Sequence, residues 1–492
     1  MAAPDMTSEQ DMSKRKGLIT LNDLDYVLEP DLSVASNKTH KKHFFQSSVY
    51  EAGQQSICIL NSGADYIDTR RSYLSFDIKS TITAGTSYSL GALGTACNLI
   101  KNITISTRSG DELCRITDYN LLQHMTLPLM YDEEWFQTAG ELMSYDKLIR
   151  NGSHRVIIPM YVLSPLFAYG RLLPAMLMSG MRIEIEWEDK VKPYVAYQIG
   201  GTAVRDLSTG GNGELTAYTI ENPYFSLDSV QLSDSIQRAL NELSALKGLE
   251  IVYCDWERTT VDRSDSLPTV NIEVRKSCSR ALKAFARVRA TSGAIATTTP
   301  QPDAKKDSFR AEQDFPFTEY QWQLGSLYFP HQPVKGDTAY DCGVESYAHT
   351  LAACDKFNGD NRQPLLSLYG GGGPHGSTYI NNQDATTGNA EAKPGLNAAS
   401  TFGYHASYLF DSHVLGVTLE RSTMFNLAGV PVNNSRVLSL RAKMQTASSG
   451  EIQSGVDTAA TVLTAAPYRR IDVFLKYVKL ARVFLNNVEV EQ

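Results

Sequence analysis

The chain has 492 residues, of which 42% are hydrophobic and 20% are charged, and this balance excludes wholesale disorder. At ~150 residues per domain, the length exceeds one typical core and predicts about two to four folded units. The formal net charge is −8, and the first fifty residues hold six Lys or Arg against seven Asp or Glu. This excludes a coat protein that condenses nucleic acid through a basic arm of its own.

The beginning of the chain is expected to be an N-terminal arm, residues 1–39, outside the folded core. Its opening stretch from Met1 to Leu18 is polar, so no secretory signal peptide is expected. The seven cysteines form no CxxC pair and no Cys/His cluster with zinc spacing. This odd count predicts reduced, buried thiols in a protein that is assembled inside a cell.

Strand patterns dominate the chain. Within residues 67–79, Leu74, Phe76 and Ile78 alternate with polar neighbours, which is the pattern of a half-buried β-strand. The same period recurs in further segments: Leu99–Ser106, Met181–Glu188, Thr269–Val274, Val437–Lys443 and Ile471–Val490. Gly, Asn, Ser and Pro clusters separate them, and helices do not alternate with them. The sequence therefore predicts an all-β protein made of antiparallel sandwiches.

Helical periodicity is confined to two short segments. The stronger one is 233–247, and its apolar residues fall on one helical face: Ile236, Leu240, Leu243 and Leu246. Ser233 or Asp234 can cap this helix, and Gly248 can end it. Because it lies near the middle of the chain, the helix is expected to join two tandem domains. A weaker helical pattern covers residues 111–125.

Two stretches rich in turn-forming residues are expected to be long surface loops. The first covers about 291–314 and is rich in Thr, Pro, Asp and Lys, and the second covers 355–403 and is rich in Gly, Asn and Thr. The second contains the run Gly370–Gly373. Since neither a lysine nor a helical pattern follows that run, a phosphate-binding loop is not expected.

The spacing of the candidate catalytic and metal-binding residues does not match that of a working site. The segment Asp132-Glu133-Glu134-Trp135 sets acids beside an aromatic ring, as glycoside hydrolysis requires. Consecutive residues point in different directions, however, whereas a working pair comes from separate elements. His40 and His43 could share a metal, but no third ligand follows at a known spacing. The sequence predicts no catalytic residue, no cofactor and no metal site, and hence a protein that is not an enzyme.

Aromatic residues gather in one short segment of the second half. Tyr320, Trp322, Leu324, Tyr328 and Phe329 lie within fourteen residues that end in Phe-Pro-His-Gln-Pro. Exposed rings of this kind can stack on bases or sugars. Their alternation along a predicted strand favours instead a role in filling a sandwich core or in a subunit contact.

Three segments together resemble a known family. They are Asn271–Val288, an alternating strand with Arg275, Arg280, Lys283 and Phe285; Tyr320–Pro333; and the terminal Arg470–Val488. In these segments the chain resembles the double jelly-roll major capsid proteins of the adenovirus-like lineage of double-stranded DNA viruses. The resemblance is greatest to the polinton-like virus and virophage branch.

The resemblance implies two tandem eight-stranded antiparallel jelly rolls, with short helices in loops and at the inter-domain joint. The first roll would cover residues 40–230, the helical joint 231–250 and the second roll 251–492, after the arm 1–39. Three chains would form a homotrimer of six rolls with a nearly hexagonal outline, and trimers would contact one another to tile an icosahedral shell. Fusing two rolls lowers the entropy cost of such an assembly.

The resemblance also implies partners and a location. Minor and penton capsid proteins would be partners, an inner membrane is allowed as another, and the chain would belong to the virion after assembly inside the host cell. Sequence-specific binding to nucleic acid is not expected. Apolar residues in the arm are candidates for a strap beneath the capsomer: Leu18, Ile19, Leu21 and Leu24. The alternative function is a carbohydrate- or receptor-binding tandem β-sandwich, either fibre-like or lectin-like.

Overall fold

The structure is a computed structural model that describes most of the chain. The described residues are 35–82, 86–89, 95–143, 152–189, 195–198, 204–205, 215–264, 269–290, 317–335, 344–356, 414–420, 429–444, 468–484 and 487–491. The arm residues Leu18, Ile19, Leu21 and Leu24, the stretch 291–314 and nearly all of 355–403 lie outside these residues.

Twelve strands belong to the described part of the first half of the chain. They are β1 (Ala35–Phe44), β2 (Val49–Glu51), β3 (Gln55–Ile59), β4 (Tyr66–Ile82), β5 (Thr86–Ser89), β6 (Ile100–Ser106), β7 (Glu112–Ile116), β8 (Gly152–Pro159), β9 (Arg182–Trp187), β10 (Val195–Gln198), β11 (Val204–Arg205) and β12 (Leu215–Leu232). The helices among them are short: α1 (Tyr119–Met130), α2 (Glu133–Leu142), α3 (Met160–Leu163), α4 (Ala175–Met178) and the 3₁₀ turns Ala96–Leu99 and Phe167–Tyr169.

The second half begins with the helix α5 (Asp234–Leu246). Its strands are β13 (Leu249–Ser264), β14 (Thr269–Val274), β15 (Cys278–Ala290), β16 (Phe317–Leu324), β17 (Leu327–Lys335), β18 (Val414–Thr418), β19 (Val430–Val432), β20 (Leu438–Met444), β21 (Tyr468–Val483) and β22 (Val488–Glu491), with α6 (Val344–Ala353) between β17 and β18. Within the described residues, no helix is long and apolar enough to cross a membrane.

The two halves have the same sheet topology. In the first half the main sheets have the orders β1-β12-β4-β8 and β3-β9-β6-β7, and in the second half the orders are β13-β21-β15-β18 and β14-β20-β16-β17. When the eight strands of each half are numbered along the chain, both halves read 1-8-3-6 and 2-7-4-5. This Greek-key order is that of a jelly roll. The predicted all-β fold with two tandem eight-stranded jelly rolls is confirmed, and they are called roll 1 and roll 2 below.

Each roll has two sides where the edge strands of its sheets come together. The side formed by the first and second strands is called the leading side, and it consists of β1 and β3 in roll 1 and of β13 and β14 in roll 2. The side formed by the fifth and sixth strands is called the trailing side, and it consists of β7 and β8 in roll 1 and of β17 and β18 in roll 2.

Alternating side chains build the core of each roll. Leu74, Phe76 and Ile78 of β4 are fully buried, as their sequence period predicts. Roll 2 has a separate core around Trp322, to which β14, β15, β20 and β21 all contribute. The core of roll 1 does not end at its own strands, because Tyr253 of roll 2 belongs to the same apolar cluster. The two rolls are therefore packed on each other through continuous apolar contact.

The joint helix α5 begins and ends as predicted, but its apolar face is only half covered. Ile236 and Leu240 pack on Tyr66, Val230 and Leu232 of roll 1. In contrast, Leu243 and Leu246 are exposed. The reason is that the last turn of the helix faces roll 2 with Ser244, which is buried and whose Oγ donates a hydrogen bond to the carbonyl oxygen of Val483 at 3.0 Å.

The weaker helix prediction, residues 111–125, is wrong in its first half. Glu112–Ile116 forms β7, and only Tyr119 onwards is helical. Backbone pairing of β7 with β6 joins Ile103 to Ile116 and Ile105 to Cys114. This hairpin pairing with the preceding strand overrides the helical period of the segment.

Candidate functional site at the interface between the two rolls

The trailing side of roll 1 docks on the leading side of roll 2. Its strand β7 packs against β13, which is an edge strand with β21 as its only ladder partner among the described strands. An exposed edge strand presents unpaired backbone groups that can join another chain. Here each edge strand covers the other, so this interface removes two such edges.

A buried ion pair lies in this interface. Lys479 Nζ is 2.6 Å from Asp255 Oδ2, and each side chain is only 1% exposed. The pair is formed across neighbouring strands, since Asp255 of β13 stands opposite Tyr477 of β21, two residues from Lys479. Tyr477 OH also donates to Asp255 Oδ2, at 3.2 Å. Both charges of the pair therefore belong to roll 2, and they lie on the surface of roll 2 that roll 1 covers.

Roll 1 supplies the remaining hydrogen bonds of this pair. Cys114 Sγ lies 3.1 Å from Asp255 Oδ1 and donates to it. The carbonyl oxygen of Leu113 accepts from Lys479 Nζ at 3.2 Å and from Tyr253 OH at 2.6 Å. One carbonyl and one thiol at the start of β7 thus complete a polar network whose charges belong to the other roll.

The opposite face of β13 is also held by roll 1. Arg258 points away from Asp255 because strand side chains alternate. Its guanidinium donates to Asp472 Oδ1, with Nη2 at 2.5 Å, and also to Asp118 of roll 1. Roll 1 therefore contacts charged groups on both faces of the same edge strand.

A second arginine extends the contact to the helix α1. Arg287 of β15 is 1% exposed, and its Nη1 is 2.7 Å from His124 Nδ1 of α1. Buried charges tolerate little displacement, because separating them leaves one of them without a partner in a poorly solvating interior. These charged contacts favour one docking geometry of the rolls. The apolar contacts around them add buried area, but they are not directional.

The predicted aromatic segment divides between core and surface. Tyr320, Trp322 and Leu324 of β16 are buried in the core of roll 2. Tyr328 of β17 is 40% exposed and Phe329 is half-buried at the edge of that core. The first three residues fill the sandwich, and a subunit contact by Tyr328 and Phe329 stays a prediction.

The two acidic and histidine motifs have structural roles. Asp132 caps α2, since its Oδ1 accepts a hydrogen bond from the backbone N–H of Trp135 at 2.9 Å. His40 and His43 are three residues apart on β1 and so point to opposite faces. Across the described residues, no group of three or more His, Cys, Asp or Glu side chains is placed to hold a metal.

The six cysteines among the described residues are free, and the environment of the buried ones makes them poorly reactive. Burial raises the pKa of the Cys58 and Cys97 thiols to about 12. Burial also raises the pKa of Cys114, and the neighbouring carboxylate of Asp255 raises it further. Since the thiolate is the reactive form, these side chains stay protonated near neutral pH.

We therefore expect native protein at pH 7.5 to be alkylated slowly by iodoacetamide at Cys58, Cys97 and Cys114. Unfolding in guanidinium should make all three react at the rate of a free cysteine. Mass spectrometry of the alkylated peptides measures each site, with the unfolded protein as its own control. Fast labelling of Cys58 or Cys97 in the native protein would contradict the packing described here.

The sequence contains one indication of the charged interface that an analysis of periodicity does not detect. Asp255 and Lys479 each interrupt a short run of apolar or aromatic residues, Ile251-Val-Tyr-Cys-Asp-Trp and Tyr477-Val-Lys-Leu-Ala. A charge within such a strand is buried only if a partner lies nearby in the fold. The partners are more than 200 residues apart in the chain, so the pairing could not be read locally.

No protein-family model matches the chain, and no curated protein matches it by sequence. Solved structures do match it. One is the PBCV-1 virus capsid quasi-atomic model, with a TM-score of 0.56, 13% identity, and coverage of 95% of this chain and 99% of that one. Another is PBCV-1 VP54 fitted into a reconstruction of the virophage Sputnik, with a TM-score of 0.55, 12% identity and the same coverage of both chains. The chain therefore has the double jelly-roll fold of viral major capsid proteins.

Proposed function

We propose that this chain is a major capsid protein that forms trimeric, pseudo-hexameric capsomers and tiles the shell of an icosahedral virion. The observation that carries the proposal is the duplicated roll: two sandwiches of identical strand order are held side by side by buried charges and continuous apolar packing. Such a chain contains two similar rolls whose relative orientation is already fixed. Three copies supply six similar rolls, which suits a nearly hexagonal tile.

A direction of the chain in the shell is part of the same proposal. The helix α5 and the start of β1 lie at one end of the molecule, where Ala35 pairs with Leu232 and Leu249 pairs with Val483. The strand β15, which precedes residues 291–316, ends at the opposite end of the molecule, where Ala290 pairs with Arg469. We propose that the second end faces outward and that the first end faces the virion interior.

Partners beyond the chain itself belong to the same proposal. Contacts between trimers, and contacts with minor and penton capsid proteins, would use the outer surfaces of the rolls. A location in the virion follows from the same role. The function is mechanical rather than catalytic, because the charged groups described here are engaged in holding the rolls together.

The purified 492-residue chain should elute as a trimer. We expect light scattering after size-exclusion chromatography to give about three times the chain mass of 54.3 kDa, and negative-stain electron microscopy to give particles with a hexagonal outline. A monomer that binds a glycan on an array would favour the carbohydrate-binding alternative. A monomer without assembly at any concentration would rule out the capsid role.

A further inference from the structure

The buried ion pair between the rolls consists of two groups that can react with each other. Lys479 carries an amine, which is a nucleophile when it is neutral, and Asp255 carries the carboxyl carbon that such an amine can attack. Lys479 Nζ lies 2.6 Å from Asp255 Oδ2, and this oxygen is bonded directly to that carbon. The fold therefore holds the reacting groups together and removes most of the entropy cost of their encounter.

Water is excluded from both groups. Each side chain is 1% exposed, and roll 1 covers them with Leu113 and Cys114, which are fully buried. A buried ion pair is costly because both charges lose their hydration. Transfer of one proton from Nζ to the carboxylate gives a neutral amine and a neutral acid, so no charge is left in a poorly solvating interior. Burial thus favours the neutral, reactive forms more than water does.

The other contacts of Asp255 stabilise the charge that such a reaction develops. When Nζ attacks Cγ, negative charge collects on Oδ1. Two donors already point at that atom, the backbone N–H of Trp256 at 2.9 Å and the thiol of Cys114 at 3.1 Å. Donors placed in advance around a developing oxyanion lower the barrier of acyl transfer. On the leaving atom, Oδ2, a third donor is in place, because Tyr477 OH lies 3.2 Å from it.

We infer that Lys479 and Asp255 condense in the folded chain to form an intramolecular isopeptide bond, with release of one water. The bond between Nζ and Cγ forms, and the bond between Cγ and Oδ2 breaks. Two of the three protons on Nζ leave with Oδ2 as water, with Tyr477 OH relaying one of them, so nothing is oxidised or reduced. Burial raises the pKa of Tyr477, and the carboxylate of Asp255 raises it further, so the hydroxyl holds a proton for this step.

The isopeptide bond joins the first and last strands of roll 2. Asp255 lies on β13 and Lys479 on β21, and these strands are neighbours in the sheet. A covalent link between distant parts of a chain stabilises the fold mainly by restricting the unfolded state. The bond closes roll 2 at the strand that carries the contact with roll 1, and it does not depend on how copies of the chain assemble.

A second lysine–aspartate pair is an internal comparison. Lys283 Nζ lies 2.5 Å from Asp355 Oδ2, and the lysine side chain is 9% exposed. The side chain of Asp355, however, is 60% exposed, so water solvates its carboxylate. This pair has the short distance without the dry surroundings, and we expect no bond between its members.

Mass spectrometry of the purified 492-residue chain tests the inference. We expect the intact mass to be lower than the sequence mass by the mass of one water, as purified or after several days at 37 °C and pH 7.5. After trypsin digestion, the peptide Gly248–Arg258 should be joined to Tyr477–Arg482, since trypsin does not cleave after the modified lysine. Peptides that contain Lys283 and Asp355 should not be joined.

Two variants make the result specific. Lys479→Arg keeps the cation but replaces the amine with a weak nucleophile, so this variant should keep its full mass. Tyr477→Phe should slow the loss of water about 100-fold or more, because it removes the donor to the leaving oxygen.

The wild-type measurement decides the inference even if a variant does not fold. A folded wild-type chain that keeps its full mass and gives no joined peptide overturns the inference, and so does a loss of water that persists in Lys479→Arg. Equal rates in wild type and Tyr477→Phe overturn the role of that hydroxyl. Light scattering tests the trimer separately, so the proposed function stands or falls on its own measurement.

Discussion

Replacing Lys479 with Met should destabilise the protein by about 3–5 kcal/mol, because it leaves the buried carboxylate of Asp255 without its cation. Both side chains are 1% exposed, so water cannot replace the lost partner. The lysine also donates to the carbonyl oxygen of Leu113 in roll 1, and the variant removes that contact between the rolls as well. Urea unfolding at fixed protein concentration, followed by tryptophan fluorescence, measures the change in the free energy of unfolding.

Two further variants make the Lys479 result specific. Lys79→Met breaks a surface pair, since Lys79 Nζ lies 3.2 Å from Glu221 Oε1 and its side chain is 57% exposed. That change should cost at most about 1 kcal/mol. The double variant Asp255→Leu/Lys479→Met removes both charges and should recover much of the lost stability. An effect of Lys479→Met no larger than that of Lys79→Met would show that the pair is not buried as described.

Replacing Trp322 with Ala should cost about 3–5 kcal/mol, because it opens a large cavity in the core of roll 2. Trp322 is fully buried and stands opposite Leu440 of β20 and Phe329 of β17, between two neighbouring strands of its sheet. The cavity cannot collapse readily, since both neighbours are held in a backbone ladder. The expected result is a lower urea midpoint, and a lower yield of folded protein at 37 °C.

Tyr328→Ala is the matched control from the same aromatic segment. Its side chain is 40% exposed, so the substitution should change the free energy of unfolding of the isolated chain by about 0.5 kcal/mol or less. If Tyr328 makes the predicted subunit contact, the same variant should weaken trimer formation, because its side chain is exposed on β17. A Tyr328→Ala variant that unfolds as readily as Trp322→Ala would place this ring in the core and not at a surface.

Several features of the fold follow from local sequence. Leu74, Phe76 and Ile78 alternate with polar residues, and any backbone that buries one of them in a sheet buries all three on the same face. The helix α5 starts after Ser233 and ends before Gly248, whose φ is +74° and suits glycine. In contrast, local sequence does not predict that Tyr320 and Trp322 are buried while Tyr328 is exposed, because periodicity alone does not distinguish a core strand from an exposed edge strand.

The alternation of residues along the chain sufficed to predict strands, their approximate positions and an all-β architecture, since each depends on neighbours within a few residues. The tandem arrangement of two rolls came from the position of the joint helix and from the family resemblance. The docking of β7 on β13, the burial of Asp255 with Lys479 and the exposure of β1 and β17 came from contacts between residues far apart in the chain. Burial of an edge strand depends on what packs beside it. Two rolls with the same strand order can therefore bury different edge strands, and the contacts of the packed molecule decide which strands these are.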